Sequence, residues 1–214
     1  MRAISKGAEP VELGRYRAVP GAVYDGGDFT PVKDAIREAL LAEQGHLCAY
    51  CMQRIRPGTM KVEHWHSQRS HSHEDLDYRN MLGCCPGNEG QMWDDQHCDT
   101  RKGSTDISFN PADPTHHARM RIRYAGDGTI RSEDAQFDEE INRILNLNWS
   151  RLKRNRKAVS DSVIRELSRR QGTRKRGEIQ QLINRWNTPE AGGRFRAYCD
   201  VAIYFLNKRL SRTR

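Results

Sequence analysis

The chain has 214 residues, of which 36% are hydrophobic and 30% charged, with six cysteines and a formal net charge of +8. That length suffices for one large domain or two small ones, and the modest apolar share points to a core that a bound metal would help to stabilise. No run of eighteen or more apolar residues occurs, which argues against a membrane-spanning helix. Met1-Arg2-Ala3-Ile4-Ser5-Lys6 leads into no apolar signal segment, so a cytoplasmic protein is expected.

Residues 1–29 carry scattered Gly and Pro without a hydrophobic period and are expected to be mostly irregular. A helix is predicted next, with Thr30 as cap, Pro31 at its first position and Val32, Ile36, Ala39 and Leu40 along one face. Gly45 is its expected stop, and it delivers the chain to Cys48. Residues 46–110 are rich in Cys, His and Gly and poor in apolar periods, a composition held more easily by metal than by packing. Met120 to Ser132 reads as a β-hairpin turning at Gly126-Asp127-Gly128. Helical spacing follows in Phe137, Ile141, Ile144 and Leu145, in Val159, Val163 and Leu167, and in Phe195, Cys199, Ala202 and Leu206. Breaks are expected at Gly172 and at Gly192-Gly193.

These elements predict an α+β protein, mostly helical, with a small metal-stabilised centre and a short hairpin. The division is an irregular segment over 1–29, a core over 30–132 with its leading helix and hairpin, and a helical region over 133–214. The charge is uneven: residues 151–214 hold 18 Lys+Arg against 5 Asp+Glu, and the first 150 hold 18 against 23. A basic final third suggests a polyanion partner; the plainer reading is a set of solvated helix faces.

Cys48-Ala49-Tyr50-Cys51 is a C-x-x-C pair, the spacing with which a tight knuckle grips one zinc ion. Closely spaced thiols in a reducing compartment favour metal over disulfides, and a redox role would need a thioredoxin-like setting that is absent. Tetrahedral zinc needs four ligands. Cys85 and Cys98 complete the set with Cys48 and Cys51, although from spacing Cys84 can replace Cys85. Cys199, among apolar residues on a helix face, is expected in the core.

The order of C-x-x-C, then Glu63-His64, then Asp77-Tyr78-Arg79-Asn80-Met81-Leu82, then His97-Cys98-Asp99-Thr100-Arg101-Lys102-Gly103 resembles the HNH endonuclease family, whose ββα-metal centre often carries a zinc frame of two cysteine pairs. The resemblance covers about residues 48–103. It implies His64 as general base, Glu63 and Asp99 as ligands of a catalytic Mg²⁺ or Mn²⁺, and structural Zn²⁺ on the cysteines. Asn80 would orient the base and brace the loop, and Lys102 and Arg101 would contact nucleic acid. The chemistry fits, because phosphodiester hydrolysis needs a base that activates water and a cation that stabilises phosphate charge. Imidazole suits the first task at neutral pH and carboxylates hold hard cations. Three departures stand out. Asp99 sits where the family has His or Asn, the second cysteine pair is split by Pro86 to His97, and the usual proline after the His motif is missing. His66, two residues beyond His64, would share its face on a strand, which leaves open whether it assists or substitutes as base, whereas His71, His73, His116 and His117 read as loop histidines. Asp94 and Asp95 read as a solvated acidic loop.

Over roughly residues 30–156 the chain is also similar to HNH proteins of anti-phage systems, the nucleases of Septu systems and certain retrons, which are encoded beside an ABC-type ATPase. This implies a nuclease acting on nucleic acid, DNA in the first place, with that ATPase as partner; the lack of a long apolar run adds the expectation of no membrane partner. A non-catalytic zinc-finger adaptor that binds nucleic acid or the ATPase is the competing expectation.

Overall fold

The computed structural model describes residues 1–169 and 174–213; the break expected at Gly172 lies outside them. Helix α1 (Val11–Arg17) interrupts the segment expected to be irregular. That segment is woven into the core by Met1, Ile4 and Leu13, all buried. Helix α2 (Phe29–Glu43) buries Phe29, Val32, Ile36, Leu40 and Leu41, the three- and four-residue spacing of one apolar stripe. It starts earlier than predicted. Asp28, at φ +57°, takes the cap position in place of Thr30, because Phe29 is drawn inward between the rings of Tyr16 and Tyr24, 5.1 and 4.7 Å away. Gly45 ends the helix at φ +57° as expected.

Strands β1 (Lys61–His64) and β2 (Met81–Cys84) pair antiparallel, Glu63 opposite Leu82 and His64 opposite Met81. A buried amide fastens them to α2. Gln44 Nε2 donates to the carbonyls of Leu47 and Gly83, each at 2.8 Å, and its Oε1 accepts from the Gly83 N–H at 2.6 Å. Glycine lets the strand come close there, since a Cβ at position 83 would lie 2.9 Å from Met60 Cε and 3.2 Å from the Gln44 amide, and both side chains would have to give way. A five-residue helix α3 (Cys98–Lys102) follows the strands, then α4 (Pro114–Met120), capped by the Asp113 carboxylate accepting from the Thr115 and His116 N–H groups. The predicted hairpin is β3 (Arg123–Tyr124) paired with β4 (Ile130–Arg131). At its turn Gly128 adopts φ +86°, and a Cβ would collide with the Lys153 carbonyl.

Helices α5 (Ala135–Arg143), α6 (Ser150–Ser168), α7 (Arg176–Asn187) and α8 (Cys199–Leu210) complete the described chain. The architecture is α+β, with helix the larger share of the regular structure but under half of the chain, and two two-stranded sheets among the described residues. The main core is continuous from Met1 through α2 and the strands to Phe137, Ile141, Leu152 and Cys199, so packing crosses position 133 freely. A smaller cluster of Val163, Ile179, Ile183, Ala202 and Leu206 joins α6, α7 and α8. Phe195 precedes α8 rather than lying on it, and α7 is an element that sequence reading missed. The basic charge of this region is partly spent internally: Arg156 is buried, donating to the carbonyls of Gly128 and Leu147 at 2.6 and 2.7 Å, and Lys157, Arg185 and Arg196 pair with Asp161, Glu166 and Glu190. Among the described residues no helix is long and apolar enough to cross a membrane.

Candidate functional site

Four cysteines from three separated stretches meet beneath β1 and β2. The sulfurs of Cys48, Cys51, Cys85 and Cys98 all lie within 4.8 Å of one another and all four residues are buried. The Cys48–Cys98 and Cys51–Cys85 separations are 3.9 and 3.8 Å. Thiolates held about 2.3 Å from one tetrahedral ion stand about 3.8 Å apart, so the cluster has the dimensions of a zinc cage and can hold such a metal. Its charge logic agrees. Burial pushes the Cys51 and Cys98 thiols well above their ordinary range, so four thiolates in this interior need a cation. Burial acts the same way on Cys48, but contacts from Cys51, Cys84, Cys85 and Cys98 outweigh it and hold that thiol well below.

The twelve residues between Cys85 and Cys98 do not hang loose. Gly87, at φ +56°, comes so close to His97 that a Cβ would strike its carbonyl, and the His97 N–H donates to the Gly87 carbonyl at 3.0 Å. That contact closes the loop at its base and gives it the footprint of a short knuckle. Asn88 Nδ2 donates to the Asp95 carbonyl, and Asn146 Nδ2 to those of Asp94 and Gln96. Cys84 is also buried but outside the four-sulfur group. It is the last residue of β2, where neighbours alternate faces, which decides the choice between Cys84 and Cys85. His97, which sequence reading passed over, is buried with Nδ1 3.2 Å from Cys98 Sγ and its ring stacked on Trp149.

One peptide beyond the cage lies an open cleft of about 410 Å³ lined by Glu63, His64 and Asp99, with Ser67, Arg69 and Ser104. Cys98 carries the chain into it at φ +55°, a left-handed backbone that costs a non-glycine residue on the order of 1 kcal/mol. His64 Nε2 is 3.0 Å from the Asp75 carbonyl. A carbonyl only accepts, so Nε2 carries the hydrogen and Nδ1 keeps its lone pair. The Tyr24 ring meets the imidazole edge-on at 4.6 Å, and burial lowers the His64 pKa from its ordinary 6.5. The ring is therefore neutral and basic at pH 7.

Glu63 is buried beneath it. Tyr50 donates to Glu63 Oε1 at 2.9 Å and Lys102 Nζ lies 2.8 Å from the same oxygen. Burial, then the facing Asp99 carboxylate, still push the Glu63 pKa well up, against the pull of Lys102. Two carboxyl groups thus crowd together beside a lone-pair nitrogen. Asn80 acts on the backbone: its Oδ1 accepts from the His66 N–H at 2.8 Å and its Nδ2 donates to the His66 carbonyl at 3.0 Å. It braces the turn after His64 and has no hydrogen bond to the His64 ring.

Two sequence expectations need correction. Lys102 is wholly buried, paired with Glu63 and donating to the His64 carbonyl at 3.0 Å, because α3 is so short that its last turn still faces the core. Arg101 lies over the Trp93 ring at 4.1 Å and donates to the Trp93 carbonyl, which commits it to the long loop. The cation lining the cleft is the exposed Arg69. His66 does not share the cleft with His64: β1 ends at His64, and His66 turns toward Trp65, His71 and Glu74. Tyr50 and Tyr24 were also missed, though Tyr50 stands inside the C-x-x-C pair. No protein-family model matches the chain, and no curated protein matches it.

Proposed function

We propose that the cleft is the reaction centre of a metal-dependent endonuclease of HNH type, with β1, β2 and α3 as its ββα unit and Zn²⁺ in the thiol cage as its brace. The observation that carries this reading is the convergence of His64, Glu63 and Asp99 on one open cleft, one residue from the cage. His64 Nδ1 takes the proton of a water whose oxygen attacks phosphorus, and the bridging oxygen leaves. Mg²⁺ or Mn²⁺ would be held by Glu63 and Asp99 and would supply charge stabilisation at the phosphate and leaving oxygen. The donors suit a hard cation: the contacts from Tyr50 and Lys102 fall on Glu63 Oε1, and the Asp99 carboxylate faces the same group. Four thiolates, by contrast, leave no open coordination position, so zinc there is structural. Arg69 offers backbone affinity at the cleft, and the exposed basic residues of α6 and α8 extend it. The substrate is nucleic acid, DNA first, and the protein acts as an anti-phage effector with an ABC-type ATPase.

A non-catalytic zinc-finger adaptor is favoured by one observation, the internal neutralisation of Glu63 by Lys102. The deciding experiment incubates plasmid DNA with the chain, alone and with the ATPase, in Mg²⁺ and in EDTA. Cleavage that needs the metal and vanishes in His64→Ala supports the nuclease. Undiminished cutting by highly purified His64→Ala, or binding without cutting under every condition, overturns it.

A further inference from the structure

His66, two residues beyond the candidate base, belongs to a different constellation. His66, His71 and Glu74 each bring one ligand atom within 4.8 Å of the others. His66 Nδ1 is 2.7 Å from Glu74 Oε2, and the two imidazoles stack with centroids 4.5 Å apart. The side chains are between a quarter and a third exposed, so an ion from solvent reaches them.

The surroundings are those of a ligand set. His71 Nε2 lies 2.9 Å from Asp106 Oδ2, the carboxylate–imidazole contact that fixes the orientation of a ligating histidine. It leaves Nδ1 as the donor. Asp106 is itself anchored, its Oδ1 accepting from the Ser67 N–H at 2.8 Å. The His66 backbone is clamped on both sides by Asn80. His73 Nε2 lies 3.5 Å from Glu74 Oε1 at the exposed edge of the set.

We propose that His66, His71 and Glu74 form a second metal site, separate from the thiol cage, for a borderline divalent cation such as Zn²⁺. Two imidazoles and one carboxylate are the donors that Zn²⁺ takes at sites with an open position, whereas Mg²⁺ and Ca²⁺ prefer oxygen alone. The ion would pin the segment between His66 and Glu74, and the next residue, Asp75, orients the His64 ring. On the nuclease reading it would therefore steady the base, but the binding itself stands apart from that reading.

The test is metal analysis of the full chain after equilibrium dialysis against excess zinc, with cobalt substitution to read the two sites separately. Thiolate-bound Co²⁺ gives intense charge-transfer absorption, and imidazole–carboxylate Co²⁺ gives only weak visible bands. Two metals per chain are expected in the wild type and one in both His71→Ala and Glu74→Gln, with the thiolate bands intact. Asp106→Asn should weaken the second site about 10- to 100-fold. A wild-type chain that fills only the thiol cage, or two metals retained when His71→Ala and Glu74→Gln are combined, overturns the proposal. Failure of the thiolate bands alone would count against the cage and leave the second site to be judged by its own bands.

Discussion

The thiol cage and the cleft beside it are built from neighbouring residues but hold their charged groups in opposite ways. In the cage every ligand is buried and the approach is closed by backbone, with Gly87 against His97 at the base of the long loop. In the cleft the void itself is open, Asp99 is partly exposed on it, and Glu63 and His64 are buried in its wall, steadied by side chains: Tyr50 and Lys102 on Glu63, Tyr24 on His64, Lys61 near Asp99 at 3.6 Å. A sealed set of thiols suits permanence, and an open set of carboxylates and imidazole suits exchange with water and substrate. The difference teaches that residue type alone does not separate a brace from a reaction centre; access does.

That contrast can be broken most forcefully at the cage. Cys98→Ser should forfeit metal-binding free energy on the order of 10 kcal/mol, seen as lost zinc and a collapsed thermal transition; a variant that keeps its metal and melting profile would refute the brace. In the cleft, His64→Ala should lower cleavage by about 10²- to 10⁴-fold while zinc content and melting stay as in the wild type. The His64 shift adds a pH signature. The neutral ring is the active form and burial lowers its pKa, so the acid limb of the rate profile should fall below pH 6.5, and a limb above it would contradict the burial argument. The same shift makes the imidazole's contribution to stability complete above its unfolded pKa and lost as pH drops below that value.

Lys102 sharpens the comparison, since it is a sealed contact inside the open site. Lys102→Met leaves a carboxyl group buried without its cation and should cost about 3 kcal/mol in denaturant unfolding. Adding Glu63→Gln should recover most of that loss; strictly additive losses would mean that the pair is not coupled. Arg69→Ala has the smallest expected effect, a weaker affinity for DNA of any sequence and a salt dependence reduced by about one counterion. An unchanged salt slope would remove Arg69 from the interface.

Local chemistry was legible in the sequence. The spacing of Cys48 and Cys51, the apolar stripe of α2 and the Gly126-Asp127-Gly128 turn each act over a few residues, and the structure has them where expected. Cys85 against Cys84 was not legible, because the choice depends on where β2 ends. Tyr24, Tyr50 and Asp75 reach His64 or Glu63 from elsewhere in the chain, and no periodicity carries such a meeting. The two corrections share one cause. Lys102 and Arg101 were read as free because cations on a helix usually face solvent, whereas α3 has too few residues to own a solvent face for both.

That brevity has an engineering consequence. Position 98 supplies a sulfur, 99 a carboxylate, 100 a hydroxyl donated to the Pro86 carbonyl, 101 a guanidinium over an indole, and 102 an ammonium in the interior. One inserted residue would swing everything downstream by about 100°, scrambling several of these appointments at once. The pentapeptide therefore behaves as a single part, kept whole or lost.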